Sequence, residues 1–113
     1  MDGRVQRSCG VWMRERFGTE LVDTITAPGP VKRLAAGDAA ELMDYARISV
    51  EKHGSQSIAI AAHPECAGNP VDKDVQLEEL KRAVALLKSE FPAVTVIAIW
   101  AELDGTVNEI QAS

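Results

Sequence analysis

The sequence lacks the features that would point to a nucleic-acid-binding or a membrane protein. Its 12 Lys and Arg residues are outnumbered by 17 Asp and Glu residues, which gives a formal net charge of -5. Because nucleic-acid-binding proteins neutralise phosphates with clustered cations, we expect no nucleic-acid partner. No apolar run approaches the ~20 residues of a membrane-spanning helix, so we expect no membrane partner either.

Cysteine is also scarce, and the chain start has no apolar core typical of a signal peptide. Both observations predict a cytoplasmic protein in which Cys9 and Cys66 are thiols, not a disulfide. The absence of a Cys-x-x-Cys pair disfavours a thiol redox protein. With 113 residues, 46% of them hydrophobic, the chain has room for one domain, over residues 1–113, with a single core.

Apolar periodicity and turn residues divide the chain into alternating helices and strands. Helices are predicted over residues 5–17, 39–52 and 73–89. Strands are predicted over residues 20–26, 57–62 and 94–101, with an antiparallel edge strand over residues 106–110 after the turn at Asp104 and Gly105. This alternation predicts an α/β fold, a three-layer sandwich with a mostly parallel sheet.

The predicted helix over residues 73–89 has a clear apolar stripe. Leu77, Leu80, Val84 and Leu87 recur at helical spacing and are expected to be buried. Glu79 falls among the residues expected to face water.

Two short groups of residues could carry chemistry. His63 and Cys66 stand three apart directly after a buried strand, and imidazole and thiolate both bind zinc. On its own this spacing is weak evidence for zinc, and a small buried thiol with a hydrogen-bonded histidine is the alternative interpretation. Asp2 and Arg4 stand two apart, so the arginine could keep the carboxylate ionised. A frayed, solvated chain start is the alternative interpretation of that pair.

Together these groups resemble the β-class carbonic anhydrases. That family has Cys-x-Asp-x-Arg at the end of its first core strand and His-x-x-Cys-Gly after its third strand. Asp2 and Arg4 are similar to the first motif, and His63 and Cys66 with Gly68 are similar to the second. Residues 42–60 and 96–105 are also similar to elements of the family.

The resemblance implies a zinc-dependent enzyme that hydrates CO2 reversibly to bicarbonate. His63 and Cys66 would be zinc ligands, and Asp2, oriented by Arg4, would be the catalytic aspartate. Family members generally form dimers, so a homodimer is expected. The resemblance also admits a hydrolase of a CO2-like molecule such as COS, or a non-catalytic binding or structural protein of the same fold.

One zinc ligand of the family has no counterpart in this sequence. The leading cysteine would precede Met1, so we expect an N-terminally truncated chain that lacks this ligand and the first core strand. Cys9 is a poor substitute, because it lies about 12 Å along the helix from that position at 1.5 Å per residue. Zinc–sulfur bonds are about 2.3 Å long, so Cys9 is interpreted as a packing residue.

Overall fold

The computed structural model describes residues 1–111, and within them the chain forms four helices and three strands. The helices are α1 (Gly3–Phe17), α2 (Pro30–Ala35), α3 (Ala40–His53) and α4 (Lys73–Glu90). The strands are β1 (Ser57–Ala62), β2 (Thr95–Ala101) and β3 (Val107–Ile110). The predicted helices and the last three predicted strands are confirmed to within two residues at each end. Helix α2 was not predicted, although its first residue is a proline, a common helix start.

The three strands form one small mixed sheet in the order β1-β2-β3. Strands β1 and β2 are parallel and are joined by the crossover helix α4. Strand β3 folds back antiparallel to β2 through the turn at Gly105, whose φ of 97° suits glycine. The fold is therefore α/β. The expected three-layer sandwich with a mostly parallel sheet is not confirmed, because one of the two strand pairs is antiparallel.

The main core lies between the sheet and helix α4. Leu80 and Ala83 of α4 are fully buried, and they belong to one cluster with Val96, Ala98 and Trp100 of β2. Ile99 is buried too, but strand alternation turns it to the other face of the sheet. No helix within residues 1–111 is long and apolar enough to cross a bilayer.

The strand predicted over residues 20–26 is wrong. The segment runs from α1 to α2 without pairing with any described strand, and Leu21 is 87% exposed. Its period-two pattern fits a strand, but a strand is stabilised by hydrogen bonds to a neighbour. Among residues 1–111 only β2 pairs with β1, and the segment lies across a cavity from the other edge of β1 instead of pairing with it.

A large cavity of about 1230 Å³ lies between this segment, helix α1 and the free edge of β1. All six residues of β1 line it, as do Val5, Cys9 and Met13 of α1. Val5 is the buried residue of α1, whereas Cys9 and Met13 are half-buried. The apolar side of this helix is therefore only partly covered.

Asp23 ties the extended segment to the end of α3. Its Oδ2 accepts a 2.7 Å hydrogen bond from the Ser49 hydroxyl and lies 2.6 Å from Nδ1 of His53. The His53 imidazole, followed by the Ser49 hydroxyl, holds the pKa of Asp23 below its ordinary value. The ionised carboxylate therefore stabilises this arrangement.

This tether predicts a pH dependence. Because folding lowers the pKa of Asp23, its stabilisation is complete above the ordinary aspartate pKa, near 3.9, and is lost as pH falls through the lowered value. We expect Asp23→Asn to reproduce the loss at pH 7, with ¹⁵N order parameters of residues 20–26 falling towards ~0.6. The matched control is Asp44→Asn on α3, where the carboxylate pairs with Arg47. Unchanged order in Asp23→Asn would contradict the tether.

Candidate active site at the end of strand β1

The predicted site residues lie at the carboxyl end of β1, where the start of α1 meets the loop of residues 63–69. Oδ2 of Asp2 lies 4.0 Å from Nδ1 of His63. Nη2 of Arg4 donates to the backbone carbonyl of Glu65 at 3.3 Å. Cys66, three residues after His63, is half-buried and lines the same cavity as Asp2 and His63. The structure thus brings together two groups that are some 60 residues apart in sequence.

Asp2 and Arg4 form a two-pronged ion pair. Nη2 of Arg4 donates to Oδ2 at 2.7 Å, and Nε donates to Oδ1 at 3.1 Å. Asp2 also caps helix α1, because Oδ1 accepts the backbone N–H of Arg4 at 2.9 Å. These bonds, the Arg4 side chain first, hold the pKa of Asp2 well below its usual range. Asp2 in turn raises the pKa of Arg4, so both groups stay charged at neutral pH.

The His63 ring is held in one tautomer. Nδ1 lies 2.7 Å from the backbone carbonyl oxygen of Pro64, which can only accept a hydrogen bond. In the neutral ring, Nδ1 therefore carries the proton and Nε2 carries the lone pair. A backbone carbonyl on the second ring nitrogen is the usual support of a metal-binding histidine.

Glu65 has an unusual backbone, with a φ of 55° in the left-handed region that non-glycine residues seldom adopt. Its carboxylate is exposed, and Oε1 lies 3.6 Å from Nη1 of Arg4. The backbone turn at Glu65 thus accompanies two contacts to Arg4, through the carbonyl and the side chain. Sequence analysis did not identify Glu65 as a partner of the ion pair.

Two buried polar residues of α4 support the loop from behind, and neither was predicted. Gln76, 2% exposed, donates from Nε2 to the backbone carbonyl of His63 at 2.9 Å. Glu79, 7% exposed, accepts from Nδ2 of Asn69 at 2.9 Å. The expectation that Glu79 faces water is therefore wrong, because Asn69 compensates its burial. Leu77, expected in the buried stripe, is only half-buried.

A sequence signal for this pair did exist. The buried positions of α4 are 76, 79, 80, 83, 84 and 87, which follow helical spacing. A stripe drawn through the leucines starts at position 77 and misses the two polar residues at its end. Polar residues that continue an apolar stripe indicate a buried polar contact.

The loop also packs against the turn before α2. A Cβ added to Gly68 would lie 2.5 Å from the backbone nitrogen of Gly29 and 2.6 Å from the carbonyl carbon of Pro28. Gly29 itself has a φ of 54°. Two backbone segments therefore approach so closely that neither glycine position has room for a side chain.

The donor atoms at the site suit zinc in kind but not in number. A histidine nitrogen and a cysteine sulfur are ordinary zinc ligands, and a catalytic zinc has three protein ligands. Among residues 1–111 no group of three His, Cys, Asp or Glu side chains is placed to hold a metal. Both oxygens of Asp2 are already engaged by Arg4. Cys9 is a half-buried thiol of α1, and burial raises its pKa.

The close backbone approach predicts that Gly68→Ala is costly. The new Cβ would meet backbone atoms that cannot retreat, so we expect a loss of about 1–3 kcal/mol in the free energy of unfolding, measured with urea. Gly10→Ala is the control, because its Cβ would meet only the movable tip of Arg14. That variant should be unchanged or more stable by up to ~1 kcal/mol. Equal stability of Gly68→Ala and the wild type would contradict the packing.

The ion pair predicts how the Asp2 carboxyl responds when Arg4 is changed. Arg4→Gln removes the guanidinium but keeps the backbone N–H that caps the carboxylate. We expect the pKa of Asp2, followed by ¹³C NMR titration, to rise by about one pH unit or more. Glu65→Gln should leave the pKa of Asp2 low, because Glu65 contacts Arg4 and the hydrogen bonds that lower the pKa of Asp2 come from Arg4 alone. An unchanged pKa in Arg4→Gln would show that the pair does not set the charge of Asp2.

Comparison with known proteins gives one match. A family model described as "Putative carbonic anhydrase" matches residues 1–111. Comparison with curated proteins and with solved structures finds no match. The family match spans nearly the whole chain, including both groups of site residues. The chain therefore belongs to this carbonic-anhydrase-like family.

Proposed function

We propose that the protein is a carbonic-anhydrase-type lyase that interconverts CO2 and bicarbonate, with a zinc site that is one ligand short in this chain. The observation that carries the proposal is the Asp2–Arg4 ion pair held beside His63 at the end of β1. Membership in a carbonic-anhydrase-like family supports it. The three-layer, mostly parallel sheet of the β class belongs to the same proposal.

His63 and Cys66 are the residues that would contribute to a metal site. The proton on Nδ1 of His63 leaves the Nε2 lone pair available to a metal, and Cys66 offers a sulfur atom three residues further along the loop. Zinc, when bound, would lower the pKa of a water molecule towards ~7 and so make hydroxide available at neutral pH.

Asp2 would accept a hydrogen bond from the reacting group. An ionised carboxylate accepts through both oxygens and forms stronger hydrogen bonds than a protonated one, and the bonds from Arg4 keep Asp2 ionised. The same bonds fix its direction, because both oxygens are held in the fork of the guanidinium. Arg4 in turn contacts Glu65, which ties the orientation of the pair to the loop that carries His63 and Cys66.

The ligand count predicts that this chain binds zinc weakly and hydrates CO2 poorly. Two ligands are one fewer than a catalytic zinc has. Asp2 is a poor third ligand, because its oxygens are held by Arg4 and because metal binding would place it where the reactive water should lie.

A non-catalytic binding or structural protein of the same fold is the second candidate. The observation that favours it is the lack, within the described residues, of three side chains placed around one metal position. Stoichiometric zinc together with CO2 hydration supports the enzyme, whereas a folded protein that never binds zinc supports the alternative. Zinc binding without CO2 hydration would move the proposal to another small electrophile such as COS.

A cytoplasmic homodimer is part of the proposal. The free edge of β1 supports association, because an unpaired edge presents backbone donors and acceptors to another chain. The expected substrate is small enough to reach the site through the cavity that Asp2, His63 and Cys66 line.

The missing ligand can be tested by supplying it. One variant carries an added apolar strand that ends in Cys directly before Met1, and its matched control ends in Ser instead. We expect the Cys variant to bind about one zinc per chain by metal analysis and to hydrate CO2 in stopped-flow assays. The Ser variant and the 113-residue chain should do neither well. The added strand should raise the stability of both variants, since it would cover the free edge of β1.

Two results would count against this proposal. If the 113-residue chain already holds one zinc tightly and hydrates CO2 as fast as the Cys variant, the missing-ligand argument is wrong. If the Cys variant folds but neither binds zinc nor hydrates CO2, the non-catalytic candidate replaces the enzyme.

A further inference from the structure

Helix α4 reaches the candidate site through two side chains that the roles proposed above do not use. Gln76 and Glu79 stand one turn apart at the end of the buried stripe of α4. Their hydrogen bonds go to Asn69 and His63, not to Asp2 or Arg4. Each holds a different end of the loop that carries His63 and Cys66.

Three hydrogen bonds hold the loop, two through backbone carbonyls and one through the side chain of Asn69. Gln76 donates to the carbonyl of His63 at 2.9 Å. The backbone N–H of Asn69 donates to the carbonyl of Cys66 at 3.1 Å. The side chain of Asn69 is in turn held by Glu79. The backbone at both candidate ligands is therefore held in place by α4. This helix is anchored in the core, since its next buried apolar residues, Leu80 and Ala83, are fully buried.

The chemistry of Gln76 shows which contact it serves. A carbonyl oxygen cannot donate, so the Gln76 amide must present its N–H to His63, and the amide orientation is settled. An apolar side chain at this position would extend the apolar stripe but leave the His63 carbonyl without that donor. Burying a polar amide is unfavourable unless it is hydrogen-bonded, so the bond to the His63 carbonyl explains why a buried position carries glutamine.

We infer that Gln76 is a positioning residue, which fixes the His63 carbonyl and thereby the direction in which the imidazole leaves the end of β1. The inference rests on the proposed function, because it assigns the fixed loop to metal binding. Zinc–nitrogen and zinc–sulfur bonds are held near 2.0 and 2.3 Å, so a small displacement of the loop is enough to weaken a ligand. Partners that orient ligands typically contribute 10–100-fold to metal affinity.

The experiment compares Gln76→Met with Leu87→Ala in the full 113-residue chain. Methionine keeps the length of the side chain and removes the donor. Leu87→Ala lowers stability from the same buried stripe, about 16 Å along the helix from Gln76. Two quantities are measured: ¹⁵N order parameters of residues 65–69 in the metal-free chain, and Zn²⁺ affinity by competition with a chelator.

We expect Gln76→Met to lower the loop order parameters from ~0.85 to below ~0.6 and to weaken Zn²⁺ binding about tenfold. Leu87→Ala should lower the midpoint of unfolding and leave both quantities unchanged. If Gln76→Met does not fold, Gln76→Asn replaces it, because this variant keeps a buried amide but withdraws it by one methylene from the His63 carbonyl.

The two proposals fail in different ways. If the loop stays ordered in the Gln76 variant, the positioning role is overturned whatever zinc does. The role is also overturned if the loop becomes mobile while Zn²⁺ affinity is unchanged, or if Leu87→Ala produces the same two effects. If the wild-type chain shows no measurable Zn²⁺ binding, loop order alone decides whether Gln76 holds the loop, and the Cys variant described above decides the proposed zinc chemistry.

Discussion

The ion pair between Asp2 and Arg4 is the interaction on which the arrangement of the site depends. It begins helix α1, because the same carboxylate oxygen accepts both the guanidinium and the helix-capping backbone N–H. It also joins that helix to the loop after β1, through the contact of Arg4 with Glu65. One charged pair thus determines where the helix starts and which charge Asp2 carries, and it gives the start of α1 a contact with the loop after β1.

The strands that pair with a neighbouring strand were predictable from the sequence. Residues 57–62 and 94–101 are uncharged runs, and they form the neighbouring parallel strands β1 and β2, which α4 connects. Residues 20–26 have an equally good strand pattern, yet they form no strand within the described chain. A period-two pattern describes how side chains alternate, whereas strand formation also requires a neighbour. The pattern alone therefore could not distinguish the two cases.

The two short groups of site residues were predictable from the sequence, but the residues of α4 that hold the loop were not. Asp2 with Arg4, and His63 with Cys66, are close in sequence, so short spacing indicated each group and the family resemblance joined them. Gln76 and Glu79 reach the loop from a different element. Their role depends on how α4 is rotated against the sheet, and charged or amide residues near a helix start usually face water. Only the buried stripe, extended to its polar end, contains that information.

The two halves of the site rest on supports of unequal strength. The loop of His63 and Cys66 is tied to α4, which is packed into the main core. Asp2 and Arg4 belong to α1, whose apolar face is only partly covered and borders the cavity beside β1. Local stability follows buried apolar contact, so the helix that carries the ion pair is the less firmly held partner. The distance between Asp2 and His63 therefore depends mainly on how α1 is packed, because the loop has little freedom to follow it.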